Sequence, residues 1–169
     1  LADSSMVMLT RGSYATPSLV DIDGDADLDL FVGESSGELN FYRNDGTRTA
    51  PRFVLISEDL DGISVGRRSA PAFVDLDGDG DLDLIIGTEA GPVQVYRNVG
   101  TRQRPQFRRD TALAITPPPL SAPTAGDVDG DGRAELLIGT TSGWRDGVRT
   151  CLSSSITAKP PGVSANVAF

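Results

Sequence analysis

Apolar residues along this chain come in short bursts set between clusters of glycine, proline, serine, asparagine and aspartate. In Leu39, Asn40, Phe41 and Tyr42 apolar and polar positions alternate with the period of two that a strand requires, although Tyr42 can pack on its own face. No stretch carries the period of an amphipathic helix. The pattern predicts strands over 18–21, 28–33, 38–43 and 52–56, joined by an acidic loop, a Ser-Gly turn and an Asn-Asp-Gly-Thr turn.

The same succession recurs. PSLVDIDGDADLDLFVG (17–33), PAFVDLDGDGDLDLIIG (71–87) and PTAGDVDGDGRAELLIG (123–139) align with offsets of 54 and 52 residues. The match extends past the acidic core, since SGELNFYRNDGT (36–47) corresponds to AGPVQVYRNVGT (90–101), and APRFVLI (50–56) to RPQFRRD (104–110). Four strands in a unit of about 50 residues make one β-propeller blade. The expected fold is therefore all-β, with propeller-type blades of four antiparallel strands in an incomplete ring: about two full blades and parts of others. The repeats lie near 17–56, 71–110 and 123–143, and residues 1–16, around Met6 to Leu9, resemble the last strand of a preceding blade. After Ser142-Gly143 the pattern is lost, and 144–169 reads as a divergent C-terminal tail or a partner-dependent strand. A ring takes roughly 4 to 8 blades, so the chain is expected to be a fragment, an open array or a protomer of a larger ring, with a sticky blade face.

Composition narrows the chemistry. The 169 residues include one cysteine, Cys151, and no histidine, which removes an internal disulfide framework, the commonest general base and the commonest transition-metal ligand. No apolar run is long enough for a transmembrane helix, and the opening LADSSMVM lacks the basic and apolar regions of a secretory signal, so a signal is expected to be absent or already removed. The net charge is −9, yet 14 of the 24 acids fall within 21–29, 75–83 and 127–135; elsewhere 10 acids face 14 Lys and Arg. Local acidity of this kind marks sites rather than a solvating tail. A clustered basic and aromatic pattern is missing, so nucleic acid is not an expected partner.

Counting each loop from its first aspartate, positions 1, 3 and 5 are Asp21, Asp23 and Asp25; Asp75, Asp77 and Asp79; Asp127, Asp129 and Asp131. Position 9 is Asp29, Asp83 or Glu135. Position 7 varies among Asp27, Asp81 and Arg133, which points to its backbone carbonyl as the ligand. Calcium takes about 6 to 8 oxygen ligands, often carboxylates at alternating positions of a tight loop plus a carbonyl. Gly24, Gly78 and Gly130 at position 4, with Gly80 and Gly132 at position 6, let the backbone curl through positive φ; Ala26 takes the position 6 place in the first loop and predicts strain there. An EF-hand needs a Glu at position 12 and flanking helices, whereas position 12 here is Val32, Ile86 or Ile138. Magnesium wants stricter geometry, and zinc wants His or Cys. Solvated acidic turns are the plain alternative, but Val20, Leu30, Val74 and Leu84 hold the loops against a core where unpaired carboxylates repel.

With DIDGDADLD, DLDGDGDLD and DVDGDGRAE in register, residues 6 to 143 resemble the FG-GAP/VCBS repeat family, calcium-binding β-propeller repeats of the broad class that includes integrin α-subunit heads. The resemblance implies that Asp21, Asp23, Asp25 and Asp29 and their counterparts are calcium ligands, that up to three Ca2+ ions bind, and that position 7 offers its carbonyl. Glu135 departs from the usual Asp. It also implies an extracellular or periplasmic, secreted or surface-associated scaffold that binds protein, or glycan, or associates with itself through open blade edges. Calcium affinities of extracellular modules, roughly 10⁻⁴ to 10⁻³ M, fit that location. The expected role is a non-enzymatic interaction or assembly module. The alternative is a carbohydrate-active lyase or hydrolase borne on the propeller, but Tyr42, Tyr96, Arg43 and Arg97 recur with the repeat and read as packing and local pairing. Trp144, beside Arg145 and Asp146, reads as a packing or surface residue, with stacking on a sugar as the alternative.

Overall fold

The computed structural model describes residues 13–115, 119–127, 134–139 and 151–152. Two four-stranded antiparallel sheets dominate it. The first runs β1 (Thr16–Val20), β2 (Asp29–Gly33), β3 (Leu39–Asn44) and β4 (Phe53–Ser57) in that order; the second repeats it with β5 (Ala70–Val74), β6 (Asp83–Gly87), β7 (Val93–Asn98) and β8 (Phe107–Ile115). A third sheet holds β9 (Ala122–Gly126), β10 (Glu135–Gly139) and the two-residue β11 (Cys151–Leu152), which pairs with β10 where β3 and β7 sit in the other sheets. Sequential neighbours pair throughout and no ring closes among the described residues, as expected of a run of partial and complete propeller blades. A 3-10 turn at Leu60–Gly62, absent from the sequence reading, links the first two blades and buries Leu60. Among the described residues, no helix is long and apolar enough to cross a membrane. The strand expected near Met6 to Leu9 and most of 144–169 lie outside the described residues.

Apolar side chains meet between blades. Every residue of β6 is buried, and its alternating side chains point to opposite faces. Leu84 and Ile86 join Phe31, Leu39, Ile63 and Tyr96 in a core between the first and second blades. Ile85, with Val74, Val93 and Val95, meets Leu136 and Ile138 of the third. Phe31 anchors the first core, stacked on Phe41 at a centroid distance of 4.5 Å and against Phe73 of the next blade at 4.4 Å. On the opposite face of the first blade, Leu19, Leu30, Tyr42 and Leu55 are in register, and Leu19 is 56% exposed.

Hydrogen bonds stitch the blades at equivalent places. The Ser69 hydroxyl accepts from the Glu34 amide at 2.9 Å, and the Ser69 amide donates to the Glu34 carbonyl at 3.0 Å. One blade on, Ser121 repeats both contacts with Thr88, at 3.0 and 3.1 Å. The residues just before these serines, Arg68 and Leu120, and their counterpart Tyr14, all take left-handed φ, 52°, 58° and 57°. Each inner strand is thus entered through the same strained bend. The Arg68 guanidinium lies 4.0 Å over the Tyr14 ring, joining two of the bends.

The clasp leaves no room for a side chain at the end of the second strand. A Cβ on Gly33 would overlap the Ser69 carbonyl oxygen, and one on Gly87 the Ser121 carbonyl oxygen. Gly33→Ala and Gly87→Ala are expected to destabilise by about 1–3 kcal/mol in denaturant unfolding. Gly126→Ala, with nothing within 4 Å of its Cβ position, should stay within about 0.5 kcal/mol. Equal losses at all three positions would mean that the blade junctions are not close-packed.

Candidate metal centre

Each acidic loop joins the first two strands of a blade. Val20 pairs with Asp29, and Val74 with Asp83, so each loop is pinched at its base by the strand register. Within it the carboxylates organise the backbone. Asp21 Oδ1 accepts from the Gly24 amide at 2.7 Å and Oδ2 from the Ala26 amide at 3.3 Å; Asp75 does the same for Gly78 and Gly80 at 2.7 and 2.9 Å. Asp25 Oδ1 takes the Asp27 amide at 3.0 Å, and Asp79 Oδ1 the Asp81 amide at 2.8 Å. Gly24, Gly78 and Gly80 turn through φ of 80°, 81° and 90°, and Ala26 is forced to 75°.

This curl brings positions 1, 3 and 5 together. One carboxylate oxygen from each of Asp21, Asp23 and Asp25 lies within 4.8 Å of the others, and Asp75, Asp77 and Asp79 form the same group. Either triad could hold a metal ion. Position 9 lies below it, buried. Asp29 is 1% exposed and accepts the Asn44 amide at 2.8 Å; Asp83 is 2% exposed and accepts the Asn98 amide at 2.7 Å. Burial pushes the Asp29 carboxyl up to about 6, opposed by the Asn44 amide, with the nearby Asp23 carboxylate adding to the rise and the Ile22 amide opposing it. Burial also raises Asp83, opposed by the amides of Asn98 and Leu76 and by Arg97.

Position 7 differs between the loops. The Asp27 side chain is buried, and burial followed by the Asp25 and Asp23 charges raises its carboxyl, whereas Asp81 is half-buried. Asp27 Oδ1 and Asp29 Oδ2 are both buried without a hydrogen-bond partner, although the Asn44 side chain holds the Asp27 carboxyl down and the Ile22 amide that of Asp29. An all-oxygen, all-carboxylate donor set with orphaned buried oxygens beneath it suits a hard divalent cation. In the third repeat, Asp127 follows directly on β9 and Glu135 opens β10 opposite Gly126, as Asp29 lies opposite Val20. Asp129, Asp131 and Arg133 lie outside the described residues.

Sequence reasoning missed two organisers of the site. Asn44 and Asn98, besides donating to the buried aspartates, accept through Oδ1 from Gly46 and Arg52, and from Gly100 and Gln106, fixing the turn that follows β3 and β7. The repeated Tyr-Arg-Asn was the available signal. Arg102, on the turn between β7 and β8, crosses to the first loop, its Nη2 3.4 Å from Asp21 Oδ2.

The profile of the FG-GAP-like repeat matches residues 21–86 and 75–138. The chain is 30% identical over 130 residues to the KICSTOR complex protein ITFG2 of Mus musculus, covering 73% of this chain and 28% of that protein. It is 28% identical over 127 residues to the BBSome complex member BBS7 of Mus musculus, covering 75% of this chain and 17% of that protein. The chain therefore spans less than a third of the length of either relative. Both are named as members of protein complexes, a finding that contradicts the extracellular or periplasmic location expected from the sequence. That expectation rested on the family resemblance, with calcium affinity as a supporting fit, and neither specifies a compartment.

The strain at Ala26 is testable. Relieving a left-handed alanine with Ala26→Gly should stabilise the protein by about 1 kcal/mol in denaturant unfolding. The reverse change, Gly80→Ala, should cost a similar amount; a destabilising Ala26→Gly or a stabilising Gly80→Ala would contradict the loop geometry.

Proposed function

Because this chain belongs to the FG-GAP-like repeat family, we propose that it is a protein-interaction or assembly module whose blades are braced by calcium. The principal support is the pairing of each carboxylate triad with a buried aspartate that also holds the end of the third strand. Asp21, Asp23, Asp25 and Asp29, and Asp75, Asp77, Asp79 and Asp83, would hold the ion with the carbonyls of Asp27 and Asp81. Asp127, Asp129, Asp131, Glu135 and the Arg133 carbonyl would form a third site. The ion would supply positive charge to a crowded acidic loop and fix its shape; the chain's own residues set the blade surfaces that meet a partner. Blades over 1–143 and a divergent 144–169 remain the proposed domain organisation.

A non-enzymatic role accords with the family and with relatives named as members of protein complexes. Nothing among the described residues favours a glycan, and Trp144 lies outside them. The face carrying Leu19, Leu30, Tyr42 and Leu55 corresponds to the face of the second blade, Phe73, Leu84 and Tyr96, that the first blade covers. It would accept a further blade of the same kind from this protein or another.

Two measurements test the reading. Excess calcium should raise the melting temperature and EDTA lower it, with about 2.7 kcal/mol of stabilisation when calcium is a hundredfold above its Kd. An unchanged curve in both would remove calcium from the proposal. Sedimentation in calcium should reveal concentration-dependent assemblies that Leu19→Asp weakens. A concentration-independent monomer would rule out self-association and leave a different protein as the partner.

A further inference from the structure

We propose that the first and second acidic loops are unequal cation sites, and that Arg97 makes them so by serving as a built-in counter-ion of the second loop. The inference rests on the calcium reading above and concerns how two sites of the same design come to differ.

Arg43 and Arg97 occupy the same place in the repeated Tyr-Arg-Asn, yet they face different partners. In the first blade Arg43 stays at the rim, its side chain 48% exposed, donating from Nε to Asp45 Oδ1 at 2.6 Å. In the second blade the Arg97 side chain is 17% exposed and turned inward. Its Nη1 lies 2.9 Å from Asp83 Oδ2 and 3.8 Å from Asp77 Oδ2, and its Nε 3.3 Å from Asp110 Oδ2. Two differences between the repeats account for the change. Val99 stands where the first blade has Asp45, which removes the outer carboxylate. Asp110 stands where the first blade has Ile56, which places a carboxylate on β8 beside the inward path of the guanidinium.

The buried aspartates register the result. Asp83 Oδ2 accepts from Arg97 and from the Leu76 amide at 3.1 Å. Asp29 Oδ2 has no hydrogen-bond partner. A cation entering the second loop through positions 3 and 9 meets a guanidinium already on both, and must displace a charge-assisted contact within a half-buried cluster. A cation entering the first loop meets, among the described residues, two arginines held at the rim: Arg102, 3.4 Å from Asp21 with a side chain 45% exposed that can swing into water at little cost, and Arg43, whose charge reaches Asp23 and Asp29 but which is turned outward onto Asp45.

Calcium titration of the full chain, followed by the backbone amide resonances of Gly24 and Gly80, reports the two loops separately. The first loop should saturate at a calcium concentration at least about tenfold lower than the second, the scale of one charge-assisted hydrogen bond. Arg97→Met, which keeps much of the aliphatic stem, should tighten the Gly80 transition toward that of Gly24, while Arg43→Met, which removes a charge held outward by Asp45, should shift the Gly24 transition by less and leave that of Gly80 unchanged. Should Arg97→Met fold poorly, the double exchange Val99→Asp with Asp110→Ile should draw Arg97 outward and produce the same tightening. Equal midpoints in the unaltered chain, or a Gly80 midpoint indifferent to these changes, would overturn the inference while leaving calcium binding in place. A lack of response in both loops would overturn the calcium reading and this inference with it.

Discussion

Asp29 and Asp83 each accept the amide at the end of their blade's third strand, and this contact links the acidic loop to the sheet beneath it. Without it the loop would be a crowded surface turn, its charges screened by water. With it, one carboxylate of the five in each loop is carried into the blade, where charge is costly and every neighbouring carboxylate is felt more strongly. The same asparagine that donates to the aspartate also accepts from the next turn through its side chain. Loop, third strand and following turn therefore form one mechanical unit, and a change in loop charge is transmitted to the backbone of half a blade.

The acidic loops were legible because carboxylate spacing, glycine placement and repetition all encode the same curl; even the positive φ of Ala26 could be read from a missing glycine. In the first blade strand bounds were legible to within two residues, with β1 beginning at Thr16 rather than Ser18, whereas in the second β8 runs on to Ile115, past the expected end of the repeat at 110. Ser69 and Ser121 were not, since a small polar residue two positions ahead of a proline looks like any turn until its hydroxyl is seen against the previous blade. Nor did identical Tyr-Arg-Asn sequences disclose that Arg43 and Arg97 point to different carboxylates. That choice is made by residues 99 and 110, one adjacent in sequence and the other a strand away. Location was misread because a resemblance between repeats, and the loop chemistry that accompanies it, was taken to carry information about a compartment.

Repetition here conserves the scaffold while letting its electrostatics drift. Gly33 and Gly87, Asn44 and Asn98, and the left-handed residues before each inner strand keep the blades superimposable in kind. Charged residues one layer further out vary, and redistribute counter-charge without moving the backbone. Tyr96 gains a hydroxyl bond to Gln94 at 2.8 Å, whereas the buried Tyr42 hydroxyl has none. Duplicated blades can in this way acquire different side-chain chemistry at constant fold.

Leu84 and Ile86 face backward along the series and Ile85 faces forward, so a blade has a front and a back that are not alike. Joining a front to a back is a heterologous contact, and it gives the array a direction. Two copies that associate by this rule cannot satisfy each other with a two-fold axis; the pair leaves one front and one back available. Growth ends only where the rotation per blade returns the last front to the first back, or where a differently built surface caps it. The handed, directional character of any assembly containing these blades is thus already present in the alternation of three consecutive side chains on one buried strand.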